Sequence, residues 1–165
     1  AYTQFRSAFS DLLNIYGEMR SNWYESVAVN DAFFNRVGTN VLLSGDAGTN
    51  WSSIYTTINS ANLILKHTPE ISFTNEATRN EVMANAYFLR AYCYFTLVRV
   101  FGDCPLLTSG FESEKQEDMY PSRTAASEVY AQVETDIEEA LRVMPASSKV
   151  HHKESPAASD MLRTE

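Results

Sequence analysis

The run NAYFLRAYCYFTLVRVFGDCPLL at positions 85–107 constrains the fold more than any other part of the chain. At 3.6 residues per turn, Val82, Ala86, Leu89, Cys93, Leu97 and Val100 share one face, and Ala84, Phe88, Ala91, Phe95 and Val98 share another. A helix that is apolar on more than one face is buried on more than one face. The run is too long for a strand. Arg90 and Arg99 inside it would each be costly at the centre of a bilayer, which excludes a membrane span. Gly102 can adopt the conformation that closes a helix, and Pro105 lies where the helix can no longer continue. The run therefore predicts the buried central helix of an all-α domain.

Three further helices are expected around it. Residues 2–19 place Phe5, Phe9, Leu12, Leu13 and Tyr16 on one stripe. Residues 50–67 place Trp51, Ile54, Tyr55, Ile58, Ala61, Ile64 and Leu65 on the inner side, with Asn50 or Ser52 able to cap the start. Asn62 is an amide on that apolar side and needs buried partners. The central helix starts near Asn75 or Glu76, and its short link to the helix before it makes an antiparallel hairpin. Residues 121–144 form the last helix, with Thr124 as its expected cap. Val129, Tyr130, Val133, Ile137, Ala140 and Leu141 are its stripe, and Glu134, Asp136, Glu138 and Glu139 read as surface charge. The reading is one helical domain over 1–145, with a long loop at 22–50, and a polar tail or the start of a further helix at 146–165.

Composition excludes several function classes. A chain of 165 residues with 44% apolar and 12% aromatic content forms a packed globule. A net charge of −8 argues against nucleic acid. Cys93 and Cys104 are separated by mostly helix, about 16 Å at the helical rise, too far for a disulfide. His67 sits at a helix end, and the adjacent His151 and His152 would diverge on a helix, so no metal site is expected. Four acidic residues at 112–118 lack the alternation and turn glycine of a calcium loop. No nucleophile elbow, zinc-protease motif or glycine-rich phosphate loop is present. The chain reads as a binding protein without catalysis or cofactor.

Several motifs carry a family resemblance. Ala86, Phe88, Leu89, Arg90, Ala91, Tyr94, Phe95, Leu97, Val98, Arg99, Phe101, Gly102, Asp103, Pro105 and Leu106 form a pattern that resembles the signature helix of the RagB/SusD family. The patterns around Trp51–Leu65 and Pro121–Pro145 resemble the same family. The resemblance implies antiparallel hairpins of tetratricopeptide-like type with long loops, and the Ala91/Phe95 pair fits a fragment of such a repeat. It covers nearly all of this chain but only the amino-terminal part of the family's pattern.

What the resemblance implies for function is capture of a glycan or other nutrient at the bacterial outer-membrane surface. The partner would be a TonB-dependent, SusC-like transporter, and the full-length precursor would be exported and lipid-anchored. No signal peptide or anchoring cysteine precedes Ala1, so the chain is expected to be an excised piece of such a precursor. Sugars stack on aromatic rings and bond to amides, carboxylates and guanidinium groups. The 22–50 segment offers that mixture in Trp23, Tyr24, Asn30, Asp31, Arg36 and Asn40, which are the candidate ligand-binding residues. The rival reading is a tetratricopeptide-type scaffold that binds a protein partner and no glycan.

Overall fold

The computed structural model describes residues 1–9, 15–20, 32–113 and 120–144. Within them the chain forms α1 (Tyr2–Phe9), α2 (Ala32–Gly38), α3 (Ser52–His67), α4 (Glu76–Phe101) and α5 (Ala126–Val143). Short 3₁₀ turns stand at Glu18–Arg20, Ala47–Thr49 and Thr68–Glu70. No strand occurs among the described residues; one isolated antiparallel bridge joins Cys104 to Thr124. The all-α expectation is met. Residues 146–165, read as a tail, lie outside the described residues, as do Leu12 and Leu13 of the expected first stripe.

The helix α4 is the buried centre. Ala84, Ala86, Leu89, Ala91, Cys93, Tyr94, Leu97 and Val98 are buried along it, facing α3 on one side and α5 on the other. Asn75 caps its start, its side chain accepting from the Ala77 amide at 2.8 Å. Gly102 ends it at φ +69°, a backbone conformation that costs a residue with a Cβ more than it costs glycine. Phe5 and Phe9 pin α1 onto this helix by edge contacts with Tyr92 at 5.4 and 5.3 Å between ring centres. Both cysteines are free thiols in the core, and burial pushes both of them up.

Four sequence expectations need correction. Phe95 is 39% exposed, although its spacing places it on an apolar face. Tyr130 and Leu141 are exposed as well, because α4 covers only one side of α5. Thr124 does not cap α5. The cap comes instead from the turn that ends α4, where Asp103 Oδ1 accepts the Ala126 amide at 2.9 Å. Asp136 is not surface charge; it is fully buried.

Asp136 meets the signature arginine. Arg90 donates through Nε to Asp136 Oδ2 at 2.8 Å and through Nη2 to Oδ1 at 2.6 Å, a two-pronged pair inside the core. Arg90 Nη1 also donates to Asn62 Oδ1 at 2.7 Å, and Asn62 Nδ2 donates to the carbonyls of Leu107 and Ser109. Gln132 donates to Asp136 Oδ1 at 2.9 Å. Among the described residues no buried side-chain polar atom lacks a partner. Asn62 thus has the structural role its position predicts.

Removing one member strands the other charge in the core. Asp136→Ala is expected to lower unfolding free energy by about 3–5 kcal/mol. In denaturant titrations, Arg90→Met combined with Asp136→Leu should cost less than the sum of the two single changes. Strict additivity would show that the pair is not coupled.

Candidate functional site

The network of Arg90 and Asn62 also fixes the loop that follows α4. Tyr94 hydroxyl donates to the Leu107 carbonyl at 2.9 Å and accepts the Leu107 amide at 2.7 Å. Two residues past Thr108, which is itself held by Arg90, the loop lies directly on α3. A Cβ at Gly110 would stand 2.9 Å from the Leu63 backbone nitrogen, so only glycine allows this approach. Asn59 then clasps Phe111 in both directions, donating to its carbonyl at 2.9 Å and accepting its amide at 2.7 Å. Further on, Lys66 and His67 bond Glu112 at 2.7 and 3.0 Å, while Glu70 takes the other ring nitrogen of His67. Hydrogen bonds first to Glu70 and then to Glu112 raise the His67 pKa, and the Lys66 and His67 contacts lower that of Glu112.

Between this loop and the start of α3 lies an open groove of roughly 450 Å³. Trp51, Tyr55, Phe111 and Tyr120 supply aromatic walls, and Thr56 and Asn59 supply polar atoms. Tyr120 is 78% exposed at the edge, free to stack on a ligand. Trp51 is held by edge contacts to Phe101 at 5.1 Å and Tyr55 at 5.8 Å, with the Arg123 guanidinium over its ring at 4.8 Å. Tyr55 hydroxyl donates to the Pro105 carbonyl at 2.7 Å, and burial, chiefly, pushes its pKa well above that of a free phenol. Among the described residues that line the groove there is no carboxylate, histidine or lysine. The described lining offers stacking surface and neutral hydrogen-bonding groups to a ligand.

The candidate residues of the 22–50 segment divide sharply. Trp23, Tyr24, Asn30 and Asp31 lie outside the described residues. Arg36 and Asn40 are described, and both are engaged within the protein. Arg36 forms a two-pronged ion pair with Asp46, its Nε at 3.0 Å from Oδ2. Asn40, at φ +57°, accepts from Arg20 Nε at 2.6 Å. Asp46 in turn accepts the Leu43 amide at 2.9 Å and its carbonyl accepts from Thr49 Oγ1 at 2.7 Å. Sequence reasoning treated Trp51 and Tyr55 as helix core and passed over Phe111 and Tyr120. The available signal was the Tyr120-Pro121 pair closing the acidic loop, an aromatic with no helical stripe to join.

Two expected outcomes test this geometry. Gly110→Ala should destabilise the protein by about 1–3 kcal/mol, because the loop must lift from the α3 backbone; unchanged thermal unfolding would contradict the close approach. The second concerns acid. Hydrogen bonds from Arg36 and then from the Leu43 amide hold the Asp46 carboxyl below the usual carboxylate range. Its contribution is therefore complete above the unfolded value of about 3.9 and is lost as pH falls from there through the lower folded value. Protection of the Leu43 amide from hydrogen exchange, corrected for intrinsic rate, should fall in that window, and Asp46→Asn should abolish the dependence.

Comparison with known proteins places this geometry. Residues 5–163 match the SusD-like family model described as starch-binding and associating with outer membrane. The SusD-like protein P38 of Formosa agariphila is 31% identical over 144 residues, which cover 85% of this chain and 27% of that protein. A SusD superfamily protein from Parabacteroides distasonis superposes with a TM-score of 0.64 at 25% identity, covering 79% of this chain and 27% of that one. A laminarin-binding SusD-like protein superposes with a TM-score of 0.62 at 22% identity over 87% of this chain and 35% of its own. The chain thus spans about a quarter to a third of the length of these relatives.

Proposed function

The chain belongs to the SusD-like family, and on that premise we propose that it binds glycan, without chemical change, at the surface of a bacterial outer membrane. It forms the helical amino-terminal part of a nutrient-capture lipoprotein that delivers its ligand to a TonB-dependent, SusC-like transporter. The observation that carries the reading is the groove between α3 and the loop at 105–111. Among the described residues its walls are aromatic and its hydrogen-bonding groups are neutral. Such a surface suits the apolar faces and hydroxyl rims of sugar rings. The family's description as starch-binding and the laminarin-binding neighbour support the same ligand class.

The rigid part of the site is the groove floor. Asn59 and Tyr55 are each held by backbone partners, so ligand binding need not order them. Tyr120 completes the groove at its exposed edge. The 22–50 segment brings further ligand contacts through Trp23, Tyr24, Asn30 and Asp31. Arg36 and Asn40 hold the described part of that segment through their bonds to Asp46 and Arg20.

A glycan array followed by calorimetry on the chain tests the proposal. Saturable binding of a neutral oligosaccharide is expected, weakened by about 0.5–1.5 kcal/mol in Tyr120→Ala through loss of one stacking ring. Trp23→Ala should weaken it comparably if the 22–50 segment shares the ligand. Binding unaffected by Tyr120→Ala would remove the groove from the site. Absence of binding across neutral glycans would favour the scaffold reading, in which the exposed Tyr130 and Leu141 face a protein partner.

A further inference from the structure

A second, smaller cleft lies on the other side of Phe101. Tyr16, Arg20, Tyr92, Phe95, Thr96 and Arg99 line it, and it encloses roughly 200 Å³. At about 30 Å³ of liquid per water molecule, that is room for a single sugar ring. Phe101 separates the two concavities, its ring meeting Trp51 of the groove at 5.1 Å and Tyr16 of the cleft at 5.8 Å.

The charge of this cleft runs against that of the chain. Acidic residues outnumber Lys and Arg by 21 to 13, yet among the described residues that line the cleft there is no carboxylate. Among the described residues, neither Arg20 nor Arg99 has an acidic group within ion-pair distance, whereas Arg36, Arg90 and Arg142 each have one. Arg99 stands in the last turn of α4, where a cation suits the negative end of the helix. That accounts for one cation and not for the second one beside it. The Arg99 guanidinium lies over the Phe95 ring at 5.3 Å, a contact that uses its face and none of its hydrogen-bond donors. Phe95 is held partly exposed in this stack. Arg20 spends its Nε on Asn40, and among the described residues its terminal nitrogens have no hydrogen-bond partner. Thr96 Oγ1 donates to the Tyr92 carbonyl and keeps its acceptor pairs.

We propose that this cleft is a subsite for one acidic sugar residue of a glycan, its carboxylate held by Arg99 and Arg20 and its ring face against the aromatic wall. The proposal rests on the glycan-binding reading and deepens it: the groove takes neutral units, and the cleft takes a charged one. A guanidinium without a carboxylate partner is the group that pairs a planar carboxylate through two hydrogen bonds.

The test compares digalacturonate with its carboxyl-reduced counterpart, digalactose, by calorimetry on the 165-residue chain, with thermal unfolding of each variant as a folding control. Arg99→Gln should weaken digalacturonate at least about tenfold and leave digalactose within about twofold. Arg99→Lys should restore part of the loss, and raised salt should weaken only the acidic ligand. Equal loss of both ligands in Arg99→Gln, or no loss of either, overturns the proposal. Full displacement of digalacturonate by equimolar sodium sulfate also overturns it, since the cleft would then hold a bare anion and not a sugar. The two readings fail separately. Loss of the Arg99 preference with neutral glycan binding intact sinks the acidic subsite alone. Arg99-dependent digalacturonate binding without any neutral binding sinks the groove alone.

Discussion

The guanidinium of Arg90 is the point at which the structure is tied together. It is buried beneath α3, α5 and the loop after α4, and it bonds to one group from each: Asn62, Asp136 and the Thr108 carbonyl. A planar fork meeting a carboxylate through two bonds accepts few relative orientations. A helix pair held only by apolar side chains tolerates rotation and sliding at small cost, whereas this one does not. The pair therefore selects one setting of α5 against the central helix. Its desolvation offsets much of its attraction, so its contribution lies in geometry more than in net stability.

From that setting the groove follows in steps of neighbouring contacts. Asn62 collects the carbonyls of Leu107 and Ser109, Tyr94 closes on Leu107 from both sides, and Gly110 lets the loop reach the α3 backbone. Phe111 then enters the groove already clasped by Asn59. At the opposite rim, Asp103 and Cys104 grip the chain that starts α5, and Arg123 is drawn over Trp51. A binding surface assembled on buried bonds of this kind loses little conformational freedom when it meets a ligand.

Much of this architecture is visible in the sequence, and the part that is not has a common cause. The central helix is legible because burial on two faces leaves a dense apolar pattern, and Asn62 is legible because an amide on an apolar side demands partners. Periodicity reports which face a residue is on, but not what lies opposite. Asp136 looks like its neighbours Glu134 and Glu138, and only Arg90, 46 positions away in sequence, makes it a core residue. Thr124 is the right residue type at the right place for a cap, yet Asp103 reaches the helix start first. Arg36 has the chemistry of a ligand-binding residue, and Asp46 ten positions later engages it. Tyr120 and Phe111 belong to no periodic stripe, so their convergence with Trp51 and Tyr55 exists only in three dimensions.

The arginines show how the same side chain is given different tasks by its surroundings. Arg90 and Arg36 each face a carboxylate and are consumed by structure. Arg123 faces an aromatic ring and a backbone carbonyl, so its charge stiffens one wall of the groove. Arg99 also lies over a ring, but no protein acceptor competes for its donor edge in the structure described. An aromatic ring fixes where a guanidinium sits while satisfying none of its five hydrogen-bond donors. Water satisfies those donors in the free protein, and a carboxylate can replace that water with little rearrangement of the side chain. Stacking without pairing is thus the arrangement that leaves an arginine both positioned and available, and it separates Arg99 from the arginines that hold the fold.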